Sequence, residues 1–448
     1  MSGNPDVIIL GAGAAGLSAA VELSRAGLTA AIIEARDRIG GRIFTLRDSV
    51  CNAPVELGAE FIHGEPPEIW DLLHSNNLHT KEVDGDIWCV RDGELSTCAF
   101  FSEVDQLLEQ MDDRAPDQSF LEFLERCCGD SRITQAAKDW ARGYVTGFHA
   151  ADPAKISVHS LVKGLRADEK IEGDRTFRIA PQGYEALLNV LRRELQTENV
   201  SLQLNTVATA IGWRRGNIEL SVRNHSGAIT MTAPRLLITL PLSILQATPE
   251  EPFAIRFVPD LPRQKQAALD KLAMGKVIRI TLRFRERFWE HLRPPHSTES
   301  KSLANMSFLL SREEWFPTWW TTMPEKLPIS TGWAPFRCAE RLSGHSTDFV
   351  VDKSLRSLGC LLKVSTSELE RLFAQAYWHD WESDPFSRGA YSYVKAGGDG
   401  AQQALASPVE NTLFFAGEAT DISGHNGTVH GAIASGYRAA KQILSTYD

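Results

Sequence analysis

The first forty residues commit the chain to one topology. Four apolar residues, Val7 to Leu10, lead into Gly11, Gly13 and Gly16 in the spacing GxGxxG. A helix-period stretch to Ala26 follows, then a second apolar run from Thr29 to Ile33 that ends at Glu34. Strand, glycine turn, helix and parallel strand make a βαβ unit. Its turn points backbone N–H groups and the positive end of the helix at one place, which suits a pyrophosphate. An acid about 20 residues beyond the turn suits a ribose diol. A GxGxxG alone is weak evidence, but with strand, helix and acid in order it predicts a dinucleotide site. Arg38, Gly40, Gly41 and Arg42 then offer two glycines for close approach and two cations for a doubly charged cofactor.

The rest of the chain must complete that domain and add another. At 448 residues and 43% hydrophobic composition, it is long enough for two lobes of a soluble globular protein. The final fifty residues resemble the opening, with an apolar strand at Thr412 to Ala416, Gly417 and Glu418, then Gly427, Thr428 and a helix from about Val429 to Leu444. Between them, Pro66 to Leu161 is dominated by helical patterning and Val200 to Leu240 by strand-like alternation, and seven of eleven tryptophans fall between Trp289 and Trp381. Arg293 to Leu303 reads as an exposed loop. The expected fold is α/β: a doubly wound, Rossmann-like dinucleotide-binding domain with a discontinuous α+β substrate domain. The boundaries are 1–65, 176–250 and 385–448 for the first, and 66–175 and 251–384 for the second.

Charge and cysteine content narrow the function classes. The net charge of -10, from 57 acids and 47 bases with no basic block, argues against a nucleic-acid partner. Seven cysteines without CxxC spacing suggest reduced thiols, and no metal site is expected. No Lys or Arg precedes the apolar N-terminus, and no apolar run reaches the ~20 residues of a spanning helix, so a cytoplasmic protein without a membrane partner is expected. The sequence leaves the oligomeric state open.

One lysine stands out physically. In KVIRITLRF, Lys276 shares strand parity with Ile278, Ile280, Leu282 and Phe284, while Arg279, Arg283 and Arg285 take the other face. A lysine on the apolar face needs a partner or a task.

Several segments together resemble the flavin-dependent amine oxidase superfamily. They are GAGAAG, Glu34, RIGGR, ELGAEFIHG (Glu56 to Gly64), Met274 to Phe284 with Phe288 and Trp289, WESDPFSRGAYSY (Trp381 to Tyr393) and FAGEATDISGHNGTVHGA (Phe415 to Ala432). The last two look closer to polyamine oxidases and flavin-type histone demethylases than to monoamine oxidases. The resemblance implies that the doubly wound domain is an FAD-binding domain of the glutathione-reductase type, with FAD held by Gly11, Gly13, Ala14, Ala15, Gly16, Glu34, Ala35, Arg36, Gly41, Arg42, Gly58, Ala59, Glu60, Val207, Trp381, Gly417, Glu418, Thr428 and Val429. Ala390 stands where monoamine oxidases carry the cysteine that bonds to flavin, which implies non-covalent FAD. Tyr391 matches one tyrosine of their aromatic cage and Thr428 occupies the place of the other.

The implied reaction is hydride-equivalent transfer from the carbon beside an amine nitrogen to flavin N5. It gives an imine that water hydrolyses to an aldehyde and an amine, with O2 reduced to H2O2. The small-molecule substrate is expected to be a polyamine or another secondary amine, with its nitrogen kept neutral by an aromatic, low-dielectric pocket. Lys276 would contact N5 through water, Tyr391 would form a wall beside the flavin, and His63 and Glu60 would orient a cationic chain. Trp381 and Trp333 would frame the pocket, and His430 would pack within the last helix. The alternatives are an FAD oxidoreductase of the same fold acting on a non-amine, a monoamine or amino-acid oxidase, and a non-catalytic flavin scaffold.

Overall fold

The computed structural model describes residues 4–98, 100–127, 134–294 and 302–447. Cys128 and residues 295–301 of the expected exposed loop lie outside them. The opening is as its pattern requires: a strand at Val7–Leu10, a helix at Ala14–Arg25 and a strand at Ala30–Ile33. These strands join Val200–Gln203, Arg235–Ile238 and Leu413–Phe415 in one five-stranded parallel sheet with Val7–Leu10 at its centre. Every residue of the first two strands is buried, as expected for a sheet covered on both faces. Ile9, Ile32, Leu237 and Phe414 pack into one core, and Ile8, Ile33, Leu236 and Phe415 into another.

The chain's two ends meet in this layer. The closing helix, Val429–Leu444, packs on the opening helix, where a Cβ on Gly436 would lie 2.3 Å from Ser18 Oγ and 2.4 Å from Ala15 O. Glycine permits that approach.

A second, seven-stranded sheet has Val277–Phe284 paired to Ile329–Pro335 and to Phe373–Trp378. Its far edge is the hairpin Asp86–Arg91 and Glu94–Thr97. These strands, with Thr80–Glu82, interrupt the stretch from Pro66 to Leu161, which is otherwise mostly helical, as its patterning predicts. Trp88 aligns with Leu309 of Met306–Leu310, a pairing over 200 residues away that outweighs local helical patterning. The same hairpin holds a disulfide between Cys89 and Cys98, contrary to the expectation of reduced thiols. Cys89 lies in the first strand and Cys98 just past the end of the second, with their Cα atoms 5.8 Å apart, a proximity that cysteine spacing does not reveal. Among the described residues no helix is long and apolar enough to cross a membrane.

Candidate active site

The glycine turn is built for close approach. Gly11 adopts φ +101°, and a Cβ on Gly16 would lie 2.0 Å from Gly11 O. Around Gly13 no atom lies within 4 Å of where a Cβ would be, so the turn opens onto free space. Glu34 is buried and accepts from the backbone N–H groups of Ala12 (2.8 Å) and Arg36 (2.9 Å). The carboxylate therefore sits against the turn itself. Thr206 N donates to Glu34 O, which brings Val207 to the same end, with Ala35 and Arg36 between. The Arg36 guanidinium is committed to Asp384 at 2.6 Å.

From this end, contacts mark an elongated path. Gly13 bridges to Gly40, and Gly41 lies beside Gly13, which leads to Arg42. Arg42 donates to Ala390 O (2.6 Å) and Glu418 (3.0 Å). A Cβ on Gly58 would lie 1.8 Å from Arg42 O, and Ala59 N donates to that same carbonyl. Trp381 is buried against Gly58, its indole N–H donating to Leu57 O at 2.7 Å. Glu418 also accepts from Ser392 Oγ (2.6 Å) and Gly427 N (2.9 Å). Gly427 precedes Thr428, the N-cap of the closing helix, whose hydroxyl accepts from Gly431 N at 3.0 Å. The path thus runs from Glu34 past the glycine turn and Arg42 to a helix N-terminus that favours negative charge.

Aromatic rings gather at the far end. The Tyr391 ring lies over Gly427, and its hydroxyl donates to Phe148 O at 2.7 Å. His63 meets the rings of Phe61 and Phe148, and Tyr144 stacks on Phe148. Phe61 also meets Phe308 and Trp320, and Trp320 meets Trp333. Burial lowers His63 and His149 to about 4, so both imidazoles are neutral at pH 7. His430 is buried within the closing helix, as expected, against the His425 ring.

Two expected roles are corrected. Lys276 lies just before Val277–Phe284, is half-exposed, and pairs with Glu382 (2.6 Å) and Glu340 (3.1 Å) instead of facing the apolar core. Parity correctly placed Ile278, Ile280, Leu282 and Phe284 in the core but did not bind a residue outside the strand. The opposite face is also covered, and Arg279 on it is the buried cation, 3% exposed. Glu60 is not free for a cationic chain. It accepts from Arg279 (2.5 Å), Arg178 (2.7 Å) and the Trp320 indole (3.1 Å). Burial would raise its carboxyl, but the two guanidiniums hold it below the usual range.

The sequence reading missed Arg279, Arg178, Trp320, Tyr144 and Phe148. Arg279 was legible as a charge within an apolar strand. The others come from distant segments and carry no local signal.

The model of the flavin containing amine oxidoreductase family matches residues 14–444. The chain belongs to that family. It is a flavin-dependent amine oxidase. Similar proteins include polyamine oxidase 4 of Oryza sativa subsp. japonica, 26% identical over 98% of this chain and 88% of the relative. Lysine-specific histone demethylase 1 homolog 2 of Arabidopsis thaliana is 28% identical over 98% of this chain and 58% of the relative. The fold is shared with wild-type putrescine oxidase bound to putrescine, at TM-score 0.80 and 21% identity over 99% of both chains. It is also shared with cyclohexylamine oxidase from Brevibacterium oxydans IH-35A, at TM-score 0.79 and 19% identity over 99% of this chain and all of that one.

Proposed function

We propose that the protein binds FAD without a covalent bond and oxidises the C–N bond of a polyamine or another secondary amine, reducing O2 to H2O2. The observation that carries this reading is the continuous path from Glu34 to Thr428, which ends against the aromatic cluster. Gly11, Gly13, Ala14, Ala15 and Gly16 would hold the pyrophosphate, and Glu34 with Val207 the adenosine end. Arg42, Gly58, Ala59, Trp381, Gly417, Glu418, Thr428 and Val429 would hold the flavin end. The cofactor lobe in this reading comprises 1–65, 176–250 and 385–448. Ala390 supplies no sulfur for a covalent bond.

When bound, flavin accepts the hydride equivalent from the carbon beside nitrogen. The chain's own contribution is to keep that nitrogen neutral. Phe61, Phe148, Tyr391, Trp320 and Trp333 form an apolar wall, and His63 adds no charge, so an ammonium is disfavoured. Water then converts the imine to an aldehyde and an amine.

The test is anaerobic addition of an amine panel to the purified yellow protein. Spermine, spermidine or N-alkyl amines should bleach the flavin band, and acid precipitation should release the colour. Bleaching by non-amine donors alone would overturn the substrate reading, and colour retained in the pellet would overturn the non-covalent one.

A further inference from the structure

The group formed by Arg178, Glu60 and Arg279 is unbalanced. Two guanidiniums share one carboxylate, which leaves a formal charge of +1 in the interior. Arg178 is satisfied by Glu60, Met323 O and Thr321 O. Arg279 places one terminal nitrogen on Gly58 O (2.8 Å) and the other on Glu60, but its buried Nε has no hydrogen-bond partner among the described residues. A buried donor on a charged group left unmade is costly unless something absent from the protein chain accepts from it. The surrounding rings stack on the guanidiniums, Trp320 at 5.4 Å from Arg279 and Phe61 at 4.7 Å from Arg178, but supply no formal counter-charge, and His63 carries none. Glu56 is an acid within electrostatic reach, and burial pushes it up to about 7, so below that pH it is largely neutral.

The carbonyl that Arg279 grips belongs to Gly58, which packs on Arg42 O and Trp381 along the flavin end of the path. We propose that Arg279 contacts the bound flavin, donating its Nε–H to the cofactor directly or through one water, and that the net positive charge of the Arg178–Glu60–Arg279 group favours the reduced, anionic flavin. The inference rests on the proposed function, which places flavin at that end. It assigns to Arg279 a task distinct from the support it gives Glu60. A positive charge held in a low-dielectric site acts strongly on a neighbouring negative one.

The test is the flavin reduction midpoint potential of the holoprotein at pH 6.5, with FAD affinity measured by reconstitution. Arg279→Met should lower the equilibrium constant for reduction at least tenfold, about 30 mV for a two-electron couple. Arg279→Lys should recover part of the shift. Glu60→Gln, which raises the formal charge to +2, should move the potential the opposite way and serves as the second variant if Arg279→Met does not fold. Unchanged potentials, or shifts of the same sign in Arg279→Met and Glu60→Gln, would overturn the inference. So would an unchanged potential in Glu60→Gln alone, if it is the variant that folds. A wild-type protein that holds no flavin would instead overturn the proposed function.

Discussion

Arg42 donates to the Glu418 carboxylate at 3.0 Å, a contact between residues 376 positions apart that ties the first segment of the chain to the last. Glu418 is buried and also receives Ser392 and Gly427, so one carboxylate fixes three segments beside the N-terminus of the closing helix. Glu418→Ala leaves the Arg42 charge and two further donors without their acceptor. Removing one partner of a buried pair costs about 3 kcal/mol, and somewhat less here because Arg42 is partly exposed. The expected outcome is a purified protein with a much lower 450-to-280 nm absorbance ratio and a depressed melting temperature. Full retention of flavin would show that Glu418 does not organise the site.

Lys276 offers the opposite expectation. Its ammonium is half-exposed and held by Glu340 and Glu382. A pair of this kind contributes about 0–1 kcal/mol. Lys276→Met should therefore leave the rate of anaerobic flavin reduction within about threefold of wild type, a difference of about 0.7 kcal/mol in the barrier. Stopped-flow absorbance checks this, and a hundredfold loss would return Lys276 to the chemistry.

Acid should loosen the aromatic end. Burial lowers His63 to about 4, below its ordinary value of 6.5. Between those values the unfolded chain binds the proton and the folded one does not, so the His63 contribution to stability is full above about pH 6.5 and is lost as pH falls towards about 4. Glu56, raised to about 7, and Asp168, raised to about 6, oppose this trend, since each binds its proton more tightly when folded. The His63 share is isolated by comparing denaturant midpoints of wild type and His63→Phe from pH 4 to 8. The wild type should lose more stability on acidification than the variant, and parallel curves would contradict the assigned shift.

The Cys89–Cys98 disulfide closes a short hairpin, with the two cysteines nine positions apart. Loop-closure entropy for that length corresponds to about 2.6 kcal/mol. Reductant should lower the melting temperature of the wild type and leave a Cys89→Ser/Cys98→Ser variant unaffected. Equal responses of the two proteins would mean the bond does not form.

The opening motif and the closing helix were legible in the sequence because their determinants are local. GAGAAG specifies a turn in which Gly11 and Gly16 leave no room for a side chain, and the helix from Val429 to Leu444 carries its cap at Thr428 and an uninterrupted period. Family membership was legible for a related reason: several short segments constrained by one cofactor keep their order.

What only tertiary structure decided is which charge is inside. Lys276 and Arg279 stand three residues apart, and strand parity favoured the lysine for the interior. The lysine lies just outside the strand and turns to two acids, while the arginine's face is covered by Gly58, Glu60 and Trp320 from other segments. Period-two alternation states which residues share a face, but burial of that face is decided by whatever packs against it. The sequence could therefore specify the glycine turn and the acid beside it, whereas the electrostatics around Arg279 depended on parts of the chain that meet only in the folded molecule.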